Sequence, residues 1–347
     1  MPSKVQLYAQ MADRTAEQIT GSYQKWTAFL TTAARLYKYP YNEQLMIFAQ
    51  RPEATACAEY DLWNKQMRRY VRRGSKGIAL VDTSSDQPKL RYVFDVSDTS
   101  GGENSRRPYL WEYRQEHREV VSAALEQRFD VSGENGLADQ LERVAAQLVD
   151  EYWHDNWRDI VGIVDGSFLE DYDEFNIGAA FRNAVVVSTT YALLSRCGMQ
   201  PGDYFEHEDF LNVFDFNTPQ TVAALGTAIS QSSKLVLRQI EVTIKNYERE
   251  KIAERSESHE RTDLHPQRGL SDSRPEPDRA AASPAGQVRQ DAEGLPEGAS
   301  SGAVEQPAAV REAVPPFAGD RRGGEQPAGT DAVSYTHLRA HETSAHL

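Results

Sequence analysis

The sequence predicts an α+β fold: an amino-terminal part with helices on a small, mostly antiparallel sheet, then a helical region, then a disordered carboxy-terminal tail. Three observations carry this expectation. Apolar residues recur at spacings of three and four from Ala16 to Tyr37. Between residues 76 and 98 the pattern changes to short runs rich in β-branched and apolar residues. From Glu116 onward helical spacing returns and continues until the composition shifts near Ser256.

The elements follow in order. Ile19, Tyr23, Trp26, Phe29, Leu30, Ala33 and Leu36 form one apolar stripe, so Ala16 to Tyr37 reads as an amphipathic helix with Trp26 and Phe29 in the core. After Pro40, Asn42 is expected to cap a second helix through about Gln50, and Asp61 a short one bearing Trp63. KGIALVD (76–82) and KLRYVFDVSD (89–98), separated by the turn-like TSSDQP, read as paired strands. Helices are expected over Glu116–Phe129, Leu137–Trp153 and Phe175–Arg196, the last stopped by Cys197-Gly198. Thr218-Pro219 is a strong helix start, and Val222 to about Ala253 reads as one long or once-broken helix. This divides the chain into an α+β unit at 1–112, a mostly helical unit at 113–255, a linker at 256–331 and a terminal piece at 332–347.

The linker reading rests on composition. Residues 256–331 are rich in Pro, Gly, Ser, Ala and charge and nearly lack aromatic and branched apolar side chains, so they cannot bury enough surface to offset the entropy of ordering. VSYTHLRAHETSAHL then breaks that composition with His337, His341 and His346. It resembles translated adapter read-through and is set aside as non-native, with a His-rich metal-binding tail as the alternative.

Charge separates the chain further. The 347 residues carry a net charge of -14, yet through Ser84 twelve Lys and Arg face seven Asp and Glu. The positive charge concentrates in NKQMRRYVRRGSKG, which holds Lys65, Arg68, Arg69, Arg72, Arg73 and Lys76 beside the aromatic residues Trp63 and Tyr70. Cations that track phosphates, with planar rings that stack on bases, are the ingredients of a single-stranded nucleic-acid site. Gly74 and Gly77 frame the turn into the following strand and are expected to let a phosphate approach the backbone. In YKYPY, Tyr37, Tyr39 and Tyr41 flank Lys38 and either present rings beside a cation or pin the helix junction. The bland alternative for the basic run is a solvated face paired with the acidic second half.

Several of these motifs stand in one order. Trp26, Asn42, IFAQRP (47–52), Trp63, VRRGSKGIALV and YVFDVSDT together resemble the amino-terminal single-stranded-DNA-binding domain of ArdC-type antirestriction proteins over about residues 15–100. KYPYNEQLMIFAQRPEATACAEYDLWN, LLSRCGMQPGDYFEHEDF and FNTPQTVAALGTAISQ resemble the leading part of large helicase and methylase polypeptides of conjugative elements in Firmicutes. The resemblance implies single-stranded DNA as the partner and restriction or conjugation machinery as the setting, and the residues themselves offer no cofactor motif. Full-length ArdC-type proteins carry an HExxH zinc-protease-like domain, and this chain has no HExxH. If the second half shares that ancestry, the resemblance makes it a degenerate, non-catalytic version, with helicase or methylase domains beyond this chain.

The remaining chemistry is sparse. His154 and His207 sit beside carboxylates without a ligand spacing, RRGSKG lacks the geometry of a phosphate loop, and Cys57 and Cys197 form no CxxC. No apolar stretch of membrane-spanning length and no signal peptide is evident, so the expectation is a cytoplasmic protein; the missing catalytic motifs add the expectation that this chain is not an enzyme. Two alternatives stay open: a metal-dependent hydrolase using DGSFLEDYDEF (165–175), and an antirestriction interaction protein whose acidic half imitates DNA.

Overall fold

A computed structural model describes residues 3–82 and 87–263. Residues 256–263, expected to belong to the linker, are instead helical, because the last helix runs on to Asp263. The rest of the expected linker, from Leu264 onward, the terminal piece and the TSSD of the strand connection lie outside the described residues. The stripe that reads as one helix is two, α1 (Lys4–Ile19) and α2 (Tyr23–Arg35). The break falls at Thr20-Gly21-Ser22, where the Ser22 side chain accepts the Lys25 N–H and starts a new helix. An apolar stripe does not register such a break, because residues on both sides face the same core. Helix α3 (Tyr41–Gln50) begins at Pro40 with no side-chain cap, which corrects the role expected of Asn42.

Among the described residues five strands follow: β1 (Cys57–Glu59), β2 (Arg69–Val71), β3 (Ile78–Asp82), β4 (Lys89–Asp95) and β5 (Thr99–Gly101). The expected pair is present as β3 and β4, antiparallel, with Ile78 opposite Val93 and Leu80 opposite Arg91. Strand β1 adds to the other edge of β4, and β2 pairs with β5 in a separate two-stranded ribbon. Ile78, Leu80 and Val93 bury against Leu36, Met46 and Ile47, so the sheet lies on α3. Between β1 and β2, Leu62–Gln66 form a single π turn, and Asp61 supplies no cap to it.

The second half is helical as expected: α4 (Arg118–Phe129), α5 (Leu137–Val161), α6 (Glu174–Arg196) and one unbroken α7 (Pro219–Asp263). Helix α6 ends at Cys197, with Gly198 at φ 74°, the left-handed stop that glycine adopts without strain. By length and composition α6 is apolar enough to cross a membrane, contrary to the sequence expectation. Most of that stretch is buried within the protein, as for a core helix.

Packing joins the two sides of residue 112. One cluster takes Trp26, Phe29, Tyr41 and Leu45 together with Phe181, Val185, Phe216, Leu225 and Ile229, so the expected boundary at 112 does not separate two cores. Trp26 Nε1 donates to Ser188 Oγ at 2.9 Å across 162 residues. The Tyr41 ring fills the space over Gly226 of α7, where an added Cβ would stand 2.0 Å from it. The described residues form one compact unit, and its shared core fixes α1–α3, and through them the sheet.

Candidate nucleic-acid interface

The basic run occupies the π turn, strand β2 and the turn that follows. Trp63 lies in the π turn, 0% exposed, packed with Ala58 and Met67 beneath Val71 and Phe94. Its Nε1 donates to the Phe94 carbonyl at 2.8 Å, so this ring is a foundation and not a stacking surface. Lys65, in the same turn, is exposed and paired with Asp61 at 2.7 Å.

Strand β2 then sorts side chains by alternation. Arg69 and Val71 share one face and Tyr70 takes the other. Val71 packs on the Trp63 cluster, which leaves Tyr70 outward at 61% exposure, opposite Ser100 of β5. Arg69 is half-buried, with its Nε donating to Thr99 Oγ1 at 2.8 Å, so its guanidinium is partly occupied within the ribbon. Arg68 is exposed and holds φ 52°, a left-handed conformation unusual for a non-glycine residue, at the junction of π turn and strand.

Beyond β2 the chain is tied to the β4–β5 connection. The Arg72 N–H donates to the Asp98 carbonyl at 2.9 Å, its guanidinium donates to the Ser97 carbonyl, and the Ser75 N–H closes a turn onto the Arg72 carbonyl. Gly74 sits in that turn at φ 91° with open space around it, a geometry in which glycine avoids strain and leaves backbone approachable. Gly77 answers differently from the expectation. A Cβ there would come within 3.2 Å of Phe94 and Tyr92, so its small size serves strand packing and not phosphate approach. Arg72, Arg73 and Lys76 are exposed.

The β4–β5 connection is itself held by two carboxylates. Asp95 accepts the N–H groups of Thr55, Ala56 and Ser97 at 2.8, 2.9 and 2.9 Å. Burial alone would raise its pKa, but the hydrogen bonds from Ser97, Thr55 and Ala56 outweigh that and hold the carboxyl below its ordinary 3.8. Asp98 is bonded to Arg51, whose own pKa is raised by that hydrogen bond. Asp98 is thus taken by Arg51 and Asp61 by Lys65, while exposed Glu103, just after β5, lines the same groove as Arg69 and Arg107. Arg68, Arg73 and Lys76 form no ion pair among the described residues.

Two cations that sequence reasoning missed join this surface. The Arg106 N–H donates to the Met67 carbonyl at 2.8 Å, which brings exposed Arg106 and Arg107 back beside Arg68. The adjacent RR in ENSRRPYL was the available signal, but nothing local ties it to residue 67. Lys38 goes elsewhere. Its Nζ pairs with Glu241 of α7 at 2.8 Å, and Tyr37 Oη donates to the same carboxylate at 2.6 Å. Tyr39 Oη donates to the Cys57 carbonyl and Tyr41 is buried, so YKYPY pins the helix junction and presents no stacking rings.

Elsewhere the chemistry stays thin. Among the described residues no three His, Cys, Asp or Glu side chains gather as a metal site. Burial pushes the Cys57 thiol far up, and Cys197 up to about 12, so both stay protonated at neutral pH. Comparison of the chain with protein-family models, with curated proteins and with solved structures found no match.

Proposed function

We propose that this chain is a single-stranded-DNA-binding module of a mobile-element DNA-processing protein, with the β2–β5 ribbon as its contact surface. One observation carries the reading: the Tyr70 ring stands free on the outer face of the ribbon while exposed Arg68, Arg72, Arg73 and Lys76 flank it in sequence. A free ring beside cations favours single strands, because a duplex keeps its base faces stacked and offers only phosphates. The resemblance to ArdC-type domains supports DNA over RNA and a setting of restriction or conjugation machinery. No catalytic role is assigned to this chain. The geometry narrows the proposed contacts: Trp63 and Lys38 leave the set, Arg69, Arg72 and Lys65 contribute partly occupied charges, and Arg106 and Arg107 enter.

The test is binding of the full chain to a labelled single strand and to the matching duplex across a salt series. Three or four phosphate contacts give a slope of log affinity against log salt of roughly -2 to -3 for single strands. A protein that binds neither strand at low salt, or prefers the duplex, refutes the proposal.

A further inference from the structure

The turn from Asp165 to Phe175 displays three aromatic side chains that the core does not use. Ser167 and Leu169 point inward and anchor it, with Ser167 Oγ donating to the Val164 carbonyl at 2.5 Å and Leu169 fully buried. The Phe168 N–H donates to Asn217 Oδ1 at 3.1 Å, fixing the turn against the segment that precedes α7. Held this way, Phe168 is 68% exposed and Phe175, in the first turn of α6, is 76% exposed, with Tyr172 outward between them. Phe168 also borders an open groove of ≈ 500 Å³ lined by Tyr23, His207, Phe214 and Asn217. Tyr204 and Leu211 of the adjoining segment are exposed as well. Large apolar groups held outward by their own backbone anchors mark a contact surface more than a tolerated defect.

The two stretches that build this surface carry charge of one sign, between Arg158 and Arg182 at the ends of the first and Arg196 and Lys234 at the ends of the second. Residues 159–181 and 197–233 contain eleven Asp and Glu and no Lys or Arg. None of the eleven forms an ion pair among the described residues. We infer that this face docks a basic protein segment carrying apolar anchors, with Phe168 and Phe175 gripping the anchors and the surrounding carboxylates receiving Lys and Arg. Complementary charge steers encounter, and aromatic side chains in the contact supply most of the holding energy. The surface is independent of the ribbon, so it stands or falls apart from the DNA-binding proposal.

The experiment measures anisotropy of a short fluorescein-labelled peptide that alternates Lys or Arg with Leu or Trp, titrated with the full chain at about 0.15 M salt. The control peptide keeps every cation and replaces each apolar residue by Ser. The expected result is saturable binding of the first peptide, at least about tenfold tighter than the control, and a loss of tenfold or more in Phe168→Ser or Phe175→Ser. Phe175→Ser touches no buried contact, so it keeps the test sound if Phe168→Ser unfolds, as far-ultraviolet circular dichroism would show. Equal binding of both peptides reduces the face to a charge effect and overturns the inference. Unchanged binding in the folded variants overturns it, as does concentration-dependent self-association, abolished by Phe175→Ser, that assigns the face to a second copy.

Discussion

Replacing Tyr70 and replacing Trp63 separates a binding ring from a structural one. Tyr70 is 61% exposed on a three-residue strand, so Tyr70→Ala gives up little burial. Its stability cost is limited to strand preference, at most about 1 kcal/mol. If the ring stacks on a base, the same change weakens single-strand binding by about 1 to 3 kcal/mol, a factor of roughly 5 to 150. The salt slope stays unchanged, since no phosphate contact is lost. Trp63→Ala does the reverse. It empties a fully buried site and leaves the Phe94 carbonyl without its indole donor, which together cost about 3 to 5 kcal/mol or more. In a unit of this size that lowers Tm by roughly 6 to 20 °C. Calorimetry and anisotropy titration on both variants decide the matter. A Tyr70→Ala protein that binds as tightly as the parent while remaining folded refutes the stacking argument. A Trp63→Ala protein of parental Tm refutes the placement of the two rings.

Four further outcomes are expected. Arg72→Ala combined with Arg73→Ala should weaken binding to every sequence and flatten the salt slope by roughly one to one and a half units, as read by the same titration. Asp95 is held below its ordinary 3.8, so its contribution is complete above the unfolded value and fades as pH falls through the folded one. Asp95→Asn should therefore cost about 1 to 3 kcal/mol near neutrality, with the gap to the parent closing below about pH 4 in urea midpoints taken across pH. Gly226→Ala places a methyl 2.0 Å from the Tyr41 ring and should lower stability by about 1 to 3 kcal/mol or more. Tyr41→Phe, which removes a buried hydroxyl that has no partner, should keep the parental Tm or raise it.

The local periodicities by themselves determined the elements that depend on near neighbours. Helices α4 to α7 and the pairing of β3 with β4 follow from spacing, β-branched content and stop signals, because each such signal acts within a few residues. The concentration of cations around Tyr70 was equally plain, since charge and ring adjacency need no fold to be counted. The division of labour among those residues was not. Trp63 and Tyr70 stand seven residues apart with the same aromatic character. A π turn and a three-residue strand decide which ring goes down, and strands that short leave no periodic record. Lys38 was indistinguishable from a surface cation until Glu241, 203 residues away, took it. Arg106 and Arg107 joined the surface through one backbone bond across 39 residues. The single core spanning residue 112 likewise rests on Trp26 meeting Ser188 and Tyr41 lying on Gly226. Such contacts are set by how helices and strands close over one another, an energy that no local stretch of sequence carries.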